Sequence, residues 1–255
     1  MIARFFSGQP RRERTDLLPA TPPGTRLYAV GDVHGRDDLL RKLRLLIQED
    51  AYRRQAPRNV VIYLGDYVDR GEGSREVIEL LLSEPLPGFE SVHLKGNHEE
   101  IMLRFLADVS VAPSWLSFGG MDTLASYGIR PPSPHAAPGE LLAAQRALNE
   151  RLPRAHRAFL GGLASWHAEG DYLFVHAGLR PSVPLEQQRD EDLLWIRDDF
   201  LESEESFGRI VVHGHTIAEL PVVRRNRIGI DTGAYVSGCL TALVAEGTEW
   251  FFLQT

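Results

Sequence analysis

With 255 residues, 43% of them hydrophobic and 25% charged, the chain can fill one large α/β core or two small ones, and its composition is that of a globular protein. Thirty-five acidic residues against 28 basic ones give a formal charge of −7 with no long basic block. This argues against a dedicated nucleic-acid binder but allows a small phosphorylated ligand held by two or three arginines. A single cysteine, Cys239, excludes an internal disulfide, and no apolar run approaches the roughly 20 residues needed to cross a bilayer.

Residues 1–25, rich in proline, arginine and threonine, read as a loosely ordered tail. They fail as a signal peptide because their charges follow a very short apolar run. With the single cysteine, this reads as a cytoplasmic protein. Cys239, between Gly238 and Leu240, reads as a small buried residue.

From residue 26 one pattern repeats: a short β-rich run ends in glycine and polar residues, and a helical segment follows. "RLYAV" leads into "GDVHG" and a helix whose leucines at 39, 40, 43 and 46 recur at helical spacing. "NVVIYL" leads into "GDYVDRG" and "SREVIELLLS", with Ser74 as a plausible N-cap. "SVHLK" leads into "GNHE" and the helix "EIMLRFLAD", where Glu99 suits the positive end of the helix dipole. Alternating strands and helices predict an α/β fold with a parallel sheet, helices on both faces and ligands beyond the carboxyl ends of the strands.

Residues 108–170 break the pattern. Pro and Gly interrupt "PSWLSFGGMDTLASYG" and "RPPSPHAAPG", helical pieces follow near 139–150 and 153–163, and the stretch reads as a helical cap inserted in one catalytic domain spanning 26–255. Its aromatics Trp115, Phe118 and Tyr127 read as packing. Strands return in "YLFVHAG", "RIVVHGH", "VVRRNRIGIDTGA" and "CLTALVAEGTEWFFLQT". The last two lack an intervening helix, which predicts antiparallel strands joined by turns.

The polar groups at the strand ends are Asp32 and His34; Asp66, Asp69 and Arg70; Asn97 and His98; His176; and His213 and His215. Imidazoles with hard oxygen donors and no thiolates suit a manganese, iron, zinc or cobalt site rather than a structural zinc knuckle. His93, His135, His156 and His167 lie outside these clusters and read as structural. His213, two residues before His215 on the expected strand face, reads either as structural or as a contact near the site.

In order and spacing, "GDVHG", "GDYVDRG", "GNHE", "HAG" and "GHT" resemble the signature set of the phosphoprotein phosphatase family of calcineurin-like metallophosphoesterases, in particular its compact bacterial and phage serine/threonine protein phosphatases. Asp32, Asp66 and Asn97 stand roughly 30 residues apart, one strand-helix-strand unit each. The resemblance covers residues 26–255. It implies a four-layer α/β/β/α sandwich with mixed sheets and a helical cap insertion. It also implies two divalent cations, manganese first, with iron, zinc, cobalt or nickel as alternatives. Asp32, His34 and Asp66 would hold one, and Asp66, Asn97, His176 and His215 the other, so Asp66 would bridge them. A hydroxide between two cations ~3.5–4 Å apart would attack phosphorus.

The resemblance further assigns His98 as general acid, Asp69 as its hydrogen-bond partner, Arg70 as a phosphate fork, and Arg197 in "LLWIRDDF" as a second arginine. Arg197 equally suits a helix salt bridge with Asp198 or Glu202. The related G-H-x-H ending is absent, since Thr216 and Ile217 follow His215.

The leading reading is therefore a metal-dependent phosphomonoesterase acting on phosphoserine, phosphothreonine or phosphotyrosine in a phosphoprotein or phosphopeptide. The enzyme rival is a symmetrical bis(5′-nucleosyl)-tetraphosphate hydrolase, whose dinucleoside polyphosphate would need a slot lined by aromatic rings, where a phosphoprotein would need a shallow cleft. A non-catalytic phosphate-binding module is the remote rival, disfavoured because every ligand is kept. No feature points to nucleic acid or membrane.

Overall fold

The computed structural model describes residues 18–255. The tail expected over residues 1–25 lies, for residues 1–17, outside the described residues. The described part is held: the backbone N–H of Ala20 donates to the Asp171 carboxylate at 3.1 Å and that of Thr21 to the Gly247 carbonyl at 2.9 Å.

In chain order, β1 (Thr25–Val30), α1 (Asp37–Arg54), β2 (Arg58–Tyr63), α2 (Ser74–Ser83), β3 (Phe89–His93) and α3 (Asn97–Ala107) alternate as the periodicity predicts. Four helices follow: α4 (Ala112–Trp115), α5 (Met121–Ser126), α6 (Pro138–Arg151) and α7 (Arg154–Gly161). The remaining elements are β4 (Trp166–Glu169), β5 (Tyr172–Val175), α8 (Asp190–Trp195), α9 (Asp198–Leu201), β6 (Ile210–His213), β7 (Val222–Val223), β8 (Arg227–Gly229), α10 (Ala234–Ser237), β9 (Thr241–Glu246) and β10 (Glu249–Gln254).

They form two mixed five-stranded sheets, ordered β10-β9-β1-β2-β3 and β4-β5-β6-β8-β7. The strands that end at the signatures, β1, β2 and β3 in one sheet and β5 and β6 in the other, are paired in parallel. Every residue of β1 is buried because the strand is covered on both faces. Tyr28 and Val30 pack with α1, α2 and α3, while Leu27 and Ala29 meet Tyr172, Phe174, Val212 and Ile228 of the second sheet. The second sheet's far face carries Leu173, Val175 and Val211 against Leu193 of α8, Ile196 just past it and Phe200 of α9. The layers run α/β/β/α, and the single parallel sheet that alternation predicts is instead two stacked mixed sheets.

Local expectations differ in four places. "VVRRNRIGIDTGA" is two short strands, β7 and β8, closed by the bond from Arg224 N–H to the Arg227 carbonyl. It and the β9-β10 hairpin belong to different sheets and are separated by α10, so the antiparallel pairing lies within each segment. Ser74 is the first residue of α2 rather than its cap, and its hydroxyl accepts a bond from the Asp69 N–H at 3.0 Å. Cys239 is half-buried rather than buried. Trp115, Leu124, Tyr127, Leu141, Leu148 and Leu160 of the 108–170 segment share one core with Met102 and Phe105 of α3.

Candidate metal centre

Each signature follows a strand and forces the backbone into a tight turn at the sheet edge. His34, Asp66, Asp69, Arg70 and His215 all adopt positive φ, between 45° and 71°. For non-glycine residues this costs on the order of 1–3 kcal/mol each and persists only where surrounding contacts over-determine it. Two glycines permit the closest approaches: a Cβ on Gly96 would lie 2.1 Å from Asp66 Oδ1, and one on Gly214 would lie 2.0 Å from Asp32 Oδ1. The turns thus bring carboxylates of the first sheet against the backbone of neighbouring loops.

Asp66 is the hub. Its Oδ2 lies 3.4 Å from His34 Nε2, its Oδ1 lies 3.4 Å from His176 Nε2, and Oδ1 also accepts the His98 backbone N–H at 3.1 Å. Burial opposes ionisation, but His176, His98, His34 and His215 around it outweigh burial and hold its pKa well below the ordinary range. His34 Nδ1 donates to the Val68 carbonyl at 2.9 Å and His176 Nδ1 to the Leu64 carbonyl at 3.0 Å. These bonds leave both Nε2 lone pairs pointing into the site. Burial lowers the pKa of His34 to about 3 and also lowers those of His176 and His215, so the imidazoles are neutral donors.

Asn97, the first residue of α3, completes the second cluster. Its Oδ1 lies 2.9 Å from His176 Nε2 and 3.0 Å from His215 Nδ1, and because the His176 proton sits on Nδ1, the amide oxygen faces a lone pair on that ring. Asp32 Oδ2 accepts the His215 backbone N–H at 2.9 Å, whereas its Oδ1 is buried without a partner among the described residues. Burial, with the charges of Asp231 and Asp66, raises the pKa of Asp32 well above the ordinary range. An orphaned carboxylate oxygen, lone pairs aimed at one another and crowded buried acids are the chemistry of a site built for cations. The residues present fit divalent ions. In each of two groups, His34 with Asp66 and His98, and Asp66 with His176 and His215, the donor atoms lie within 4.8 Å of one another.

His98 is committed elsewhere. Its Nδ1 donates to Asp69 Oδ2 at 2.7 Å, and its Nε2 lies 3.1 Å from Nη2 of Arg70. Burial works against its charge, but Asp66 and Asp69 outweigh it and hold its pKa above the ordinary value. Nη1 of Arg70 donates to His34 Nε2 at 3.1 Å, so the fork spans both imidazoles. Arg197 is exposed at the start of α9 and donates to Thr216 Oγ1 at 3.2 Å, rather than to Asp198 or Glu202. His213 ends β6, while His215 lies past the strand with left-handed backbone, so the two do not share a face. His213 packs edge-on against Phe200 and meets Arg227 at 3.3 Å, outside the cluster.

Sequence reasoning missed several contributors. The Glu99 carboxylate, beyond the helix-dipole effect, accepts the backbone N–H groups of Asp66, Tyr67, Val68 and Gly96 at 2.8–3.2 Å and so holds the "GDYVD" turn. Burial and Asp66 push its pKa up to about 7 against those four donors. Tyr235 stacks under the Arg70 guanidinium at 4.8 Å and meets the His34 ring edge-on at 5.4 Å. Asp231 is buried beside Asp32, and burial pushes its pKa up to about 6. Trp115, expected to be packing alone, donates through Nε1 to Asp69 Oδ2 at 3.0 Å, and Thr123 donates to Asp69 Oδ1 at 2.6 Å. The one signal for the last pair was an indole and a threonine flanking the double glycine in "WLSFGGMDT".

A family profile described as calcineurin-like phosphoesterase matches residues 25–236, the span that carries all of these loops. The chain belongs to the calcineurin-like phosphoesterase family. The chain is 25% identical over 233 residues to "Bis(5'-nucleosyl)-tetraphosphatase PrpE [asymmetrical]" of Halalkalibacterium halodurans, covering 84% of this chain and 87% of that protein. It is 34% identical over 85 residues to "Serine/threonine-protein phosphatase with EF-hands 1" of Rattus norvegicus, covering 32% of this chain and only 12% of that longer protein. A solved structure described as a putative diadenosine tetraphosphatase superposes with a TM-score of 0.61 at 19% identity, covering 93% of this chain and 98% of that one, which bears on the fold. This phosphoesterase is thus a hydrolase of phosphoric esters from a family that binds divalent metals. No helix among the described residues is long and apolar enough to cross a membrane.

Proposed function

We propose that the chain is a two-cation phosphomonoesterase acting on phosphoserine, phosphothreonine or phosphotyrosine carried by a protein. Asp32, His34 and Asp66 hold one cation; Asp66, Asn97, His176 and His215 hold the other. The single observation that carries this is the division of the Asp66 carboxylate, with one oxygen 3.4 Å from His34 and the other 3.4 Å from His176. When bound, manganese or another divalent ion supplies the activated water and neutralises phosphoryl charge.

The chain's own residues do the rest. Arg70 rests its two Nη atoms on the lone pairs of His34 and His98, and a phosphoryl group competes for that fork, which matches two oxygens. His98 Nε2, released from Arg70, takes up a proton from solvent and passes it to the departing alkoxide or phenoxide, and Asp69 keeps the ring turned by accepting from Nδ1. Arg197, anchored beside His215 by Thr216, adds positive charge at the mouth.

Exposed apolar side chains beside the site support a chain-borne substrate. Phe118, Ile217 and Val236, on segments adjoining Arg70, His215 and Tyr235, are 44%, 45% and 71% exposed. A second reading, a dinucleoside polyphosphate hydrolase, is favoured by the aromatic pair Phe118 and Trp195. These rings stand 6.5 Å apart, and Trp195 lies 6.3 Å from the His215 ring, where a base could stack. The similarity to the tetraphosphatase PrpE along most of both chains points the same way.

Manganese-reconstituted enzyme offered phosphopeptides and diadenosine tetraphosphate in parallel tests both. Phosphopeptide turnover at least tenfold faster supports the first reading. Faster release of two ADP, or of ATP and AMP, replaces it with the symmetrical or asymmetrical nucleotide reading. A chelator should abolish either activity, and added manganese should restore it.

A further inference from the structure

The segment "PSWLSFGGMDTLASYG" has no role in the chemistry above, yet it touches the acid side of the site at several points. Resting on the assignment of His98 as general acid, we propose that Trp115 and Thr123 are positioning residues, the mount that fixes Asp69 and, through it, the orientation of the His98 ring for leaving-group protonation.

Asp69 is fully buried in left-handed backbone at φ 71°, a conformation that neighbouring contacts must impose. Thr123, itself buried, supplies much of that constraint with one hydroxyl. Its Oγ1 accepts the Asp69 N–H at 2.9 Å and donates to Asp69 Oδ1 at 2.6 Å, clamping backbone and side chain together. Oδ2 receives two donors, His98 Nδ1 at 2.7 Å and Trp115 Nε1 at 3.0 Å. With both oxygens engaged by the 115–123 segment, the carboxylate cannot rotate about its terminal torsion without breaking a buried charge-assisted bond. Neither Trp115 nor Thr123 belongs to a strand-end loop.

The route between the two residues is shaped for this task. Residues Leu116–Gly120 carry the chain from α4 to α5 through a kink at Gly119, whose backbone is not helical. Gly119, at φ 111°, accepts the Arg70 N–H at 3.3 Å, and a Cβ there would lie 2.6 Å from that nitrogen. A Cβ on Gly120 would lie 2.5 Å from the Trp115 indole. The two glycines therefore let the turn press on Arg70 with one side and seat the indole with the other. Both ends are anchored: Trp115 packs at a tilt against Phe105 of α3 with ring centroids 4.5 Å apart, and Tyr127, just past α5, bonds His156 of α7 at 2.8 Å.

The test compares kcat/KM for an activated aryl phosphate, p-nitrophenyl phosphate, and a simple alkyl phosphate in the full-length manganese enzyme. Thr123→Val and Trp115→Phe are each expected to slow the alkyl ester about tenfold to a hundredfold and the aryl ester less than about threefold. Thr123→Ser should restore the wild-type ratio. In a His98→Asn background, Thr123→Val should add no further loss on the alkyl ester. Equal losses on both esters, or full additivity with His98→Asn, reduce Trp115 and Thr123 to ordinary packing and overturn the proposal. If Thr123→Val does not fold, Trp115→Phe and Thr123→Ser decide the matter by the same ratio. A leaving-group split for His98→Asn with none for the mount variants sinks this inference alone. No split for His98→Asn sinks the acid assignment, and this inference with it.

Discussion

Asp66 and Asp69 leave the same strand in the same turn, three residues apart, both buried and both in left-handed backbone. Their surroundings nonetheless make them different chemical groups. Asp66 accepts one backbone N–H and otherwise presents its oxygens to neutral imidazoles, which leaves lone pairs available to cations. Asp69 meets the side-chain donors of His98, Trp115 and Thr123, which leave it little capacity for a metal. The difference comes from what packs on each residue: the bare backbone at Gly96 on one, the donor-bearing 115–123 segment on the other. In the proposed mechanism one turn thus serves a cation end and a proton end.

The comparison breaks most visibly if both aspartates are neutralised. Asp66→Asn should lower kcat/KM by more than about 10³ on every ester, aryl or alkyl, since it removes charge from both cation sites. A steady-state assay on two esters checks this, and residual activity within tenfold of wild type would end the bridging role. Asp69→Asn should cost about 10²-fold on an alkyl phosphate and several-fold less on p-nitrophenyl phosphate, because it disturbs only the proton donor.

Stability sharpens the contrast next. Glu99→Gln puts an amide against four backbone donors that need an acceptor, and unfolding should be easier by about 2 kcal/mol, or ~4–8 °C in thermal midpoint. Calorimetry of the metal-free protein isolates that effect from cation binding. The smallest effect belongs to Tyr235→Leu, which removes the face under Arg70. KM for phosphate esters should rise about threefold with kcat nearly unchanged, while Tyr235→Phe behaves as wild type. Initial-rate kinetics of the two variants separate these outcomes.

Much of the site was legible in the residues themselves. Apolar strands ending in glycine and acid mark where backbone leaves the core, and helical periodicity places the next strand in parallel. The groups at the carboxyl ends of β1, β2 and β3 therefore had to converge. Glu99 was visible only as a helix-end charge, because its acceptors are used by a turn some 30 residues upstream. Trp115 was visible only as packing, because an indole's one donor declares itself when its acceptor is in place.

What the amino-acid order determined by itself is the set of strand-turn-helix units and the chemistry at each turn, since local periodicity and glycine placement dictate both. How loops of both sheets share a cavity, that the strands divide between two stacked mixed sheets, as the family resemblance implied and periodicity alone did not, and that the 115–123 segment supplies donors to Asp69 were decided only by tertiary packing. Those contacts join residues 46 to 183 positions apart, between Asp69 and Trp115 and between Asp32 and His215. No local pattern encodes such a meeting; it follows from burying the faces of both sheets at once.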